Sequence, residues 1–289
     1  MAVERDWNRR LASKAILAGA VLFLAAPFVV VLGASFDPAT GYHVAFPPRG
    51  FSLASYAAIP WKYARAAGTS VMVGVIVAVV STAIGLCAAL GLVRGRLIGR
   101  EALASFFRMP VQIPFVVTGA VFLQFYYQLA SLTGVNLLNG LTGLIIAHVF
   151  VAVPYSVGAV TAVLSRFDPA LEEAAESLGA TAWATFRSVT LPIIRPGVLA
   201  GLFYAFIVSF GDIPVALFLA PGDRATLPVQ IFEDMQFDFK PSMLAVSSLI
   251  AVLSLAAILA ARELAGFDMV ARPAHASAAS QPSERTARP

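Results

Sequence analysis

The most closely set carboxylates in this chain are Asp168, Glu172, Glu173 and Glu176, at the head of a stretch that reads DPALEEAAESLGATAWATFRSVTLP and ends at Pro192. Carboxylates three and four residues apart share one side of a helix. Acids so placed can meet the basic residues of a partner, or simply face water. On charge pattern alone, an ordinary solvated loop with charged helices is the competing reading. A second candidate is Asp212, alone in an apolar stretch within Ser209-Phe210-Gly211-Asp212-Ile213-Pro214. A carboxylate inside a membrane span is costly and marks a functional position by default. Asp212, with Ser209, is a candidate for lining a solute path and attracting a cation. A structural role, at a subunit interface or capping the segment freed by Pro214, is equally open.

Other chemistry is sparse. His148 is a lone histidine in an apolar helix; interhelical hydrogen bonding is favoured over a ligand or proton-relay role. His43 and His275 lie in a loop and in the tail, so a histidine-based metal site has no support. Cys87 is the single cysteine; it has no disulfide partner and is expected as a small apolar packing residue. No lysine follows a glycine, so the phosphate-binding G-x-x-x-x-G-K-[ST] loop is missing. This chain is therefore not expected to bind or hydrolyse ATP, and no resident cofactor is expected. A serine hydrolase is disfavoured, because Ser156 and His148 share one helix face and no Gly-x-Ser-x-Gly occurs.

The elements that must position these groups follow from composition. The 289 residues are 59% apolar and 12% charged, with mean hydropathy +0.81. That charge content is about half of what a soluble protein carries, and the charges cluster between uncharged runs long enough to cross a bilayer. The fold class is all-α: a polytopic membrane protein with six expected spans, at 14–34, 68–93, 106–129, 141–164, 196–220 and 243–262. The first follows a basic segment but is longer than a signal-peptide core and lacks an A-x-A-like site. Residues 1–13 and 263–289 form an N-terminal segment and a disordered tail, and 35–67 a turn-rich external loop.

Of the 20 Lys and Arg residues, 15 fall on the side holding both termini and five on the other. That bias places both termini in the cytoplasm. The net charge of +4 reflects this loop bias and is no argument for nucleic acid. In the second span Gly74 and Ala78, Ser81 and Gly85, and Gly85 and Ala89 are four apart, a spacing that lets helix backbones approach closely. Pro110, Pro114, Pro154 and Pro214 are expected to bend helices.

The carboxylate stretch is predicted as two short cytoplasmic helices over 168–192. Asp168 caps the first, with Pro169 at its start, and the glutamates suit the dipole at that end. Gly179 ends it. Thr181 caps a second helix, on which Trp183 and Phe186 share a side and could anchor it against the spans. Leu191-Pro192 and Arg195-Pro196 are expected to close it.

The same stretch resembles the EAA loop of the membrane subunits of ABC importers: Glu-Ala-Ala, three residues, Gly, nine residues, then Ile-x-Leu-Pro. Here the pattern is Glu173-Ala174-Ala175, Gly179 and Val189-Thr190-Leu191-Pro192, with valine for isoleucine the one departure. His148 with Pro154-Tyr155, Phe51-Ser52-Leu53 with Tyr56, and Thr69-Ser70 extend the likeness. The resemblance implies a type I importer permease with its core over 68–262, in a bacterial inner membrane. It further implies an ATPase-coupling surface at Glu172, Glu173, Ala174, Ala175, Glu176, Gly179, Ala180, Leu191 and Pro192. Its partners would be a cytoplasmic ATPase dimer that binds ATP, a second permease, favoured as a different chain, and a periplasmic solute-binding protein. Ser209 to Leu219, with Leu227-Pro228-Val229 and Asp238-Phe239, resembles the spermidine/putrescine-type branch, which also includes permeases for opines, aminoethylphosphonate and ferric iron. A polyamine-like solute is the favoured cargo. An ATP-independent secondary transporter is the alternative class, but it predicts internal repeats, and none is found.

Overall fold

The computed structural model describes residues 2–38, 45–222, 224–237 and 240–265, and among them there is no strand. The helices are α1 (Ala2–Ala34), α2 (Ala54–Ala57), α3 (Trp61–Arg94), α4 (Arg100–Gln112), α5 (Phe115–Thr133), α6 (Leu141–Leu164), α7 (Ala170–Ser177), α8 (Ala182–Thr185), α9 (Leu191–Phe210), α10 (Pro214–Leu219), α11 (Leu227–Phe237) and α12 (Pro241–Ala265). A helix satisfies its backbone polar groups internally, as a hydrocarbon environment demands. By length and composition, Ala12–Ala34, Trp61–Arg94, Phe115–Thr133, Leu141–Leu164 and Ala182–Phe210 can cross a membrane. The sixth expected span lies in α12, whose apolar stretch among the described residues, Pro241–Ala256, is shorter.

Helices α3, α6 and α9 pack against one another in pairs and form the centre of the molecule. The small residues of α3 sit at this contact: Gly74, Ala78, Ser81, Gly85 and Ala89 are all buried. At Gly85 the approach is so close that a Cβ would lie 2.7 Å from Ser156 Cβ and 2.9 Å from its carbonyl carbon. Ser156 is itself fully buried. Its hydroxyl donates to the Gly201 carbonyl at 3.2 Å on α9 and lies 3.3 Å from Thr82 Oγ1 on α3. One serine thus ties the three central helices where only glycine leaves room. An apolar cluster around Val73, Val77, Leu144, Ala147, Ala205 and Val215 fills one level, and Ala89, Val160, Leu164 and Ile194 another.

Several elements differ from the sequence expectation. The third span, expected over 106–129, is two helices that part at Ile113-Pro114, with Pro114 capping α5. Proline disfavours the helical conformation for the residue before it, and α4 carries charge that a span would have to bury. The fifth, expected over 196–220, stops at Phe210 and restarts at Pro214. From Ala2 onward the N-terminal segment is continuous with α1. Cys87 is exposed on α3 rather than packed. Of the tail, 266–289 lies outside the described residues, as do Gly41, His43, Asp223 and Asp238.

Candidate functional site

The acidic stretch folds as a turn with two faces. Asp168 Oδ1 accepts from the Ala170 N–H at 3.0 Å and so caps α7. At the other end, the Ala180 N–H donates to Ala175 O (3.1 Å) and the Gly179 N–H to Glu176 O (2.9 Å). This is a Schellman closure, and it requires a left-handed residue: Gly179 has φ +89°. Thr181 Oγ1 then accepts from the Ala184 N–H and caps α8. Ala175 and Ala180 thus close the turn, while Glu173, Ala174 and Glu176 are exposed.

The chain does not stop at Leu191-Pro192. Residues Ala182 to Phe210 form one continuous helical path, with a π-turn at Phe186–Thr190 leading into α9. The Leu191 N–H reaches back to Phe186 O. The wider turn makes room for the Pro192 ring, which would otherwise press on the carbonyl four residues earlier. The loop is therefore built into the fifth span rather than hinged to it. Nor does Trp183 anchor it against the spans: Trp183 stacks on Phe186 at 5.6 Å and stays 69% exposed. Leu178 is likewise exposed, at 90%.

Glu172, expected on the outward surface, turns inward. Its Oε1 accepts from Thr190 Oγ1 at 2.6 Å, and its Oε2 lies 3.3 Å from Arg94 Nη2 in the last turn of α3. The Arg94 guanidinium lies 4.8 Å over the Phe167 ring. Arg94, Phe167 and Thr190 carry no spacing signal that links them to Glu172; only the tertiary fold brings the end of α3 within reach of its carboxylate.

The second candidate, at the break between α9 and α10, is buried. Asp212, 6% exposed, accepts from the Val215 and Ala216 N–H groups through Oδ2, at 2.9 Å each. It caps α10, where Pro214 supplies no N–H. His148 Nε2 lies 3.4 Å from the same oxygen, and His148 Nδ1 is 2.9 Å from Ser209 Oγ. The order Ser209, His148, Asp212 resembles a hydrolase triad, but all three are buried; the Oδ2 that faces His148 is committed to backbone donors, and Oδ1 is buried without a hydrogen-bond partner.

Toward the other end of α3 lies an open cavity of about 320 Å³ lined by Arg65, Gly68, Thr69, Met72, Leu141 and Arg224, with no carboxylate among these described residues. Nearby, Asp234 of α11 accepts from Lys62 (2.7 Å), Tyr63 (2.7 Å) and Gln230 (3.3 Å). Burial pushes its carboxyl up, but these hydrogen bonds and the Lys62 charge together outweigh it and hold the group below its usual range. Among the described residues, no group of three or more His, Cys, Asp or Glu could hold a metal ion.

Residues 81–265 match the family model described as the binding-protein-dependent transport system inner membrane component. The chain belongs to this family. It is a multi-pass membrane protein of the ABC importer permease type. It is 32% identical over 186 residues to the putrescine transport system permease protein PotI of Escherichia coli (strain K12), covering 64% of this chain and 66% of that one. It is 29% identical over 194 residues to the spermidine/putrescine permease PotC of Haemophilus influenzae, covering 67% and 73%. A probable molybdenum ABC transporter permease of Haloferax volcanii is 35% identical over 169 residues, covering 58% and 62%. These relatives are transport permeases rather than enzymes. Among solved structures, a bacterial ABC transporter involved in importing the acidic polysaccharide alginate superposes with TM-score 0.68 at 14% identity, covering 88% of this chain and 96% of that one. That likeness supports the fold alone.

Proposed function

We propose that this chain is one permease subunit of a binding-protein-dependent importer, with the 168–192 loop as the seat for a separate cytoplasmic ATPase. The observation that carries the reading is the two-faced loop. Glu173, Leu178 and Trp183 are exposed on a turn held by Gly179, while the rear of that turn is continuous with a span. A rigid turn with exposed acidic and apolar side chains suits docking of a folded partner. ATP belongs to that partner, and this chain needs no cofactor of its own. A second permease subunit, favoured as a different chain, completes the solute path, and a periplasmic binding protein delivers the solute. Both termini lie in the cytoplasm. The likeness of this chain to a putrescine permease of Escherichia coli and a spermidine/putrescine permease of Haemophilus influenzae supports a polyamine-like cargo.

One observation favours a second cargo: a cavity with Arg65 on its wall suits an anion, such as a phosphonate or an opine carboxylate. Competition of radiolabelled putrescine uptake by each solute class separates the two cargo readings. The permease reading is tested by purifying the detergent-solubilised importer with Glu173→Lys or Gly179→Asp in this chain. Both variants are expected to insert normally, and to lose the co-purifying ATPase, or its coupling, together with uptake. Intact coupled uptake in both would refute it.

A further inference from the structure

We propose that Arg94 and Glu172 form a latch through which movement of the ATPase-facing loop is passed to α3 and α9 together, Arg94 being a positioning residue that contacts neither solute nor ATPase. The proposal rests on the permease reading above. A single carboxylate joins three elements: Glu172 stands on α7, Thr190 ends the π-turn before α9, and Arg94 ends α3. Helices α3 and α9 are two of the three that form the centre of the molecule. A push on α7 therefore has a direct polar route to both, besides the covalent route through Gly179, which reaches α9 alone.

The pair is half-buried, with side-chain exposures of 25% and 23%, so water screens it less than a surface pair. It is also incompletely closed. Arg94 Nε and Nη2 are buried and have no hydrogen-bond acceptor, although Nη2 lies 3.3 Å from Glu172 Oε2. Buried donors left unmade are costly, and a guanidinium fork matches a carboxylate with two parallel bonds. A second arrangement, in which a small shift of α7 closes that fork, is thus available to the same residues. Two discrete arrangements of one polar contact are what a coupling element requires.

The test uses the whole importer in proteoliposomes, measuring ATPase retention, ATP hydrolysis and solute uptake for Arg94→Glu, Glu172→Arg, the double swap and Arg94→Lys. Each single reversal is expected to keep the ATPase bound and hydrolysing while uptake per ATP falls on the order of tenfold. The double swap is expected to restore most of that loss. Arg94→Lys, which keeps the charge but not the fork, should fall between. Unchanged uptake per ATP in both single variants, or loss of the ATPase itself, would overturn the latch. Wild-type importer that shows no ATP-coupled uptake would instead overturn the permease reading. Should a reversal fail to reach the membrane, Thr190→Val removes one arm of the contact at nearly constant shape, and normal uptake per ATP in that variant would also overturn the latch.

Discussion

Asp212 offers the sharpest test of how this site is built, because its two readings predict opposite kinetics. As a solute ligand, its charge would matter most. As a cap, what matters is an oxygen placed to accept from Val215 and Ala216, both at 2.9 Å. Asp212→Asn keeps such an oxygen and loses the charge assistance, which roughly doubles the strength of a bond, along with the negative charge 3.4 Å from His148 Nε2; the expected cost is about 1 kcal/mol. Asp212→Ala removes the cap, worth about 0.5–2 kcal/mol. It also leaves buried N–H groups unpaired, at about 1–3 kcal/mol each. Because the cap is these same two bonds, the alanine variant should be about 2–6 kcal/mol less stable. The assay is uptake kinetics in proteoliposomes beside thermal unfolding in detergent. Asparagine is expected to leave KM within about twofold, since a kilocalorie spent on the fold does not enter solute affinity. Alanine is expected to lower the unfolding temperature sharply and to reduce the amount of active protein. A KM raised by about tenfold or more in the asparagine variant, with unchanged stability, would refute the capping reasoning, because that factor corresponds to a lost ligand contact.

Gly85→Ala should destabilise the packing of α3 on α6 by about 1–3 kcal/mol, since the added carbon would lie 2.7 Å from Ser156. Gly68→Ala, where nothing lies within 4 Å, should be near neutral, and equal unfolding temperatures for the two variants would refute the contact. At Gly179 the space is open but φ is +89°, so Gly179→Ala should cost about 1–2 kcal/mol from the backbone alone. Gly179→Asn, which tolerates that conformation, should retain more ATPase association in a pull-down. Asp234 has a carboxyl pKa lowered below 3.8, so its contribution is present above that value and is lost as pH falls through the lowered one. The stability advantage of wild type over Asp234→Asn should accordingly hold near neutral pH and vanish in strong acid, as read by thermal unfolding across pH.

Features set by neighbouring residues were legible in the sequence. The length of the apolar runs indicated helices that can cross a bilayer, and five among the described residues can do so by length and composition. Asp168, Gly179 and Thr181 marked the ends of α7 and α8, because capping and the left-handed turn involve residues only a few positions apart. The spacing of Gly74, Ser81 and Gly85 marked the packed side of α3. Other expectations did not hold. Trp183 looked like an anchor, yet it stacks on Phe186 and stays exposed. Leu191-Pro192 looked like a stop, yet a π-turn carries the helix through. Glu172 and Glu173 are adjacent carboxylates that no local rule tells apart. Helical geometry turns them about 100° from each other, and the presence of Arg94 and Thr190 on one side draws Glu172 inward while Glu173 faces out. The sequence by itself determined that a helical, membrane-crossing chain would carry a capped acidic loop. Tertiary structure alone decided which carboxylate joins that loop to the spans, because burial and charge pairing depend on contacts between residues remote along the chain.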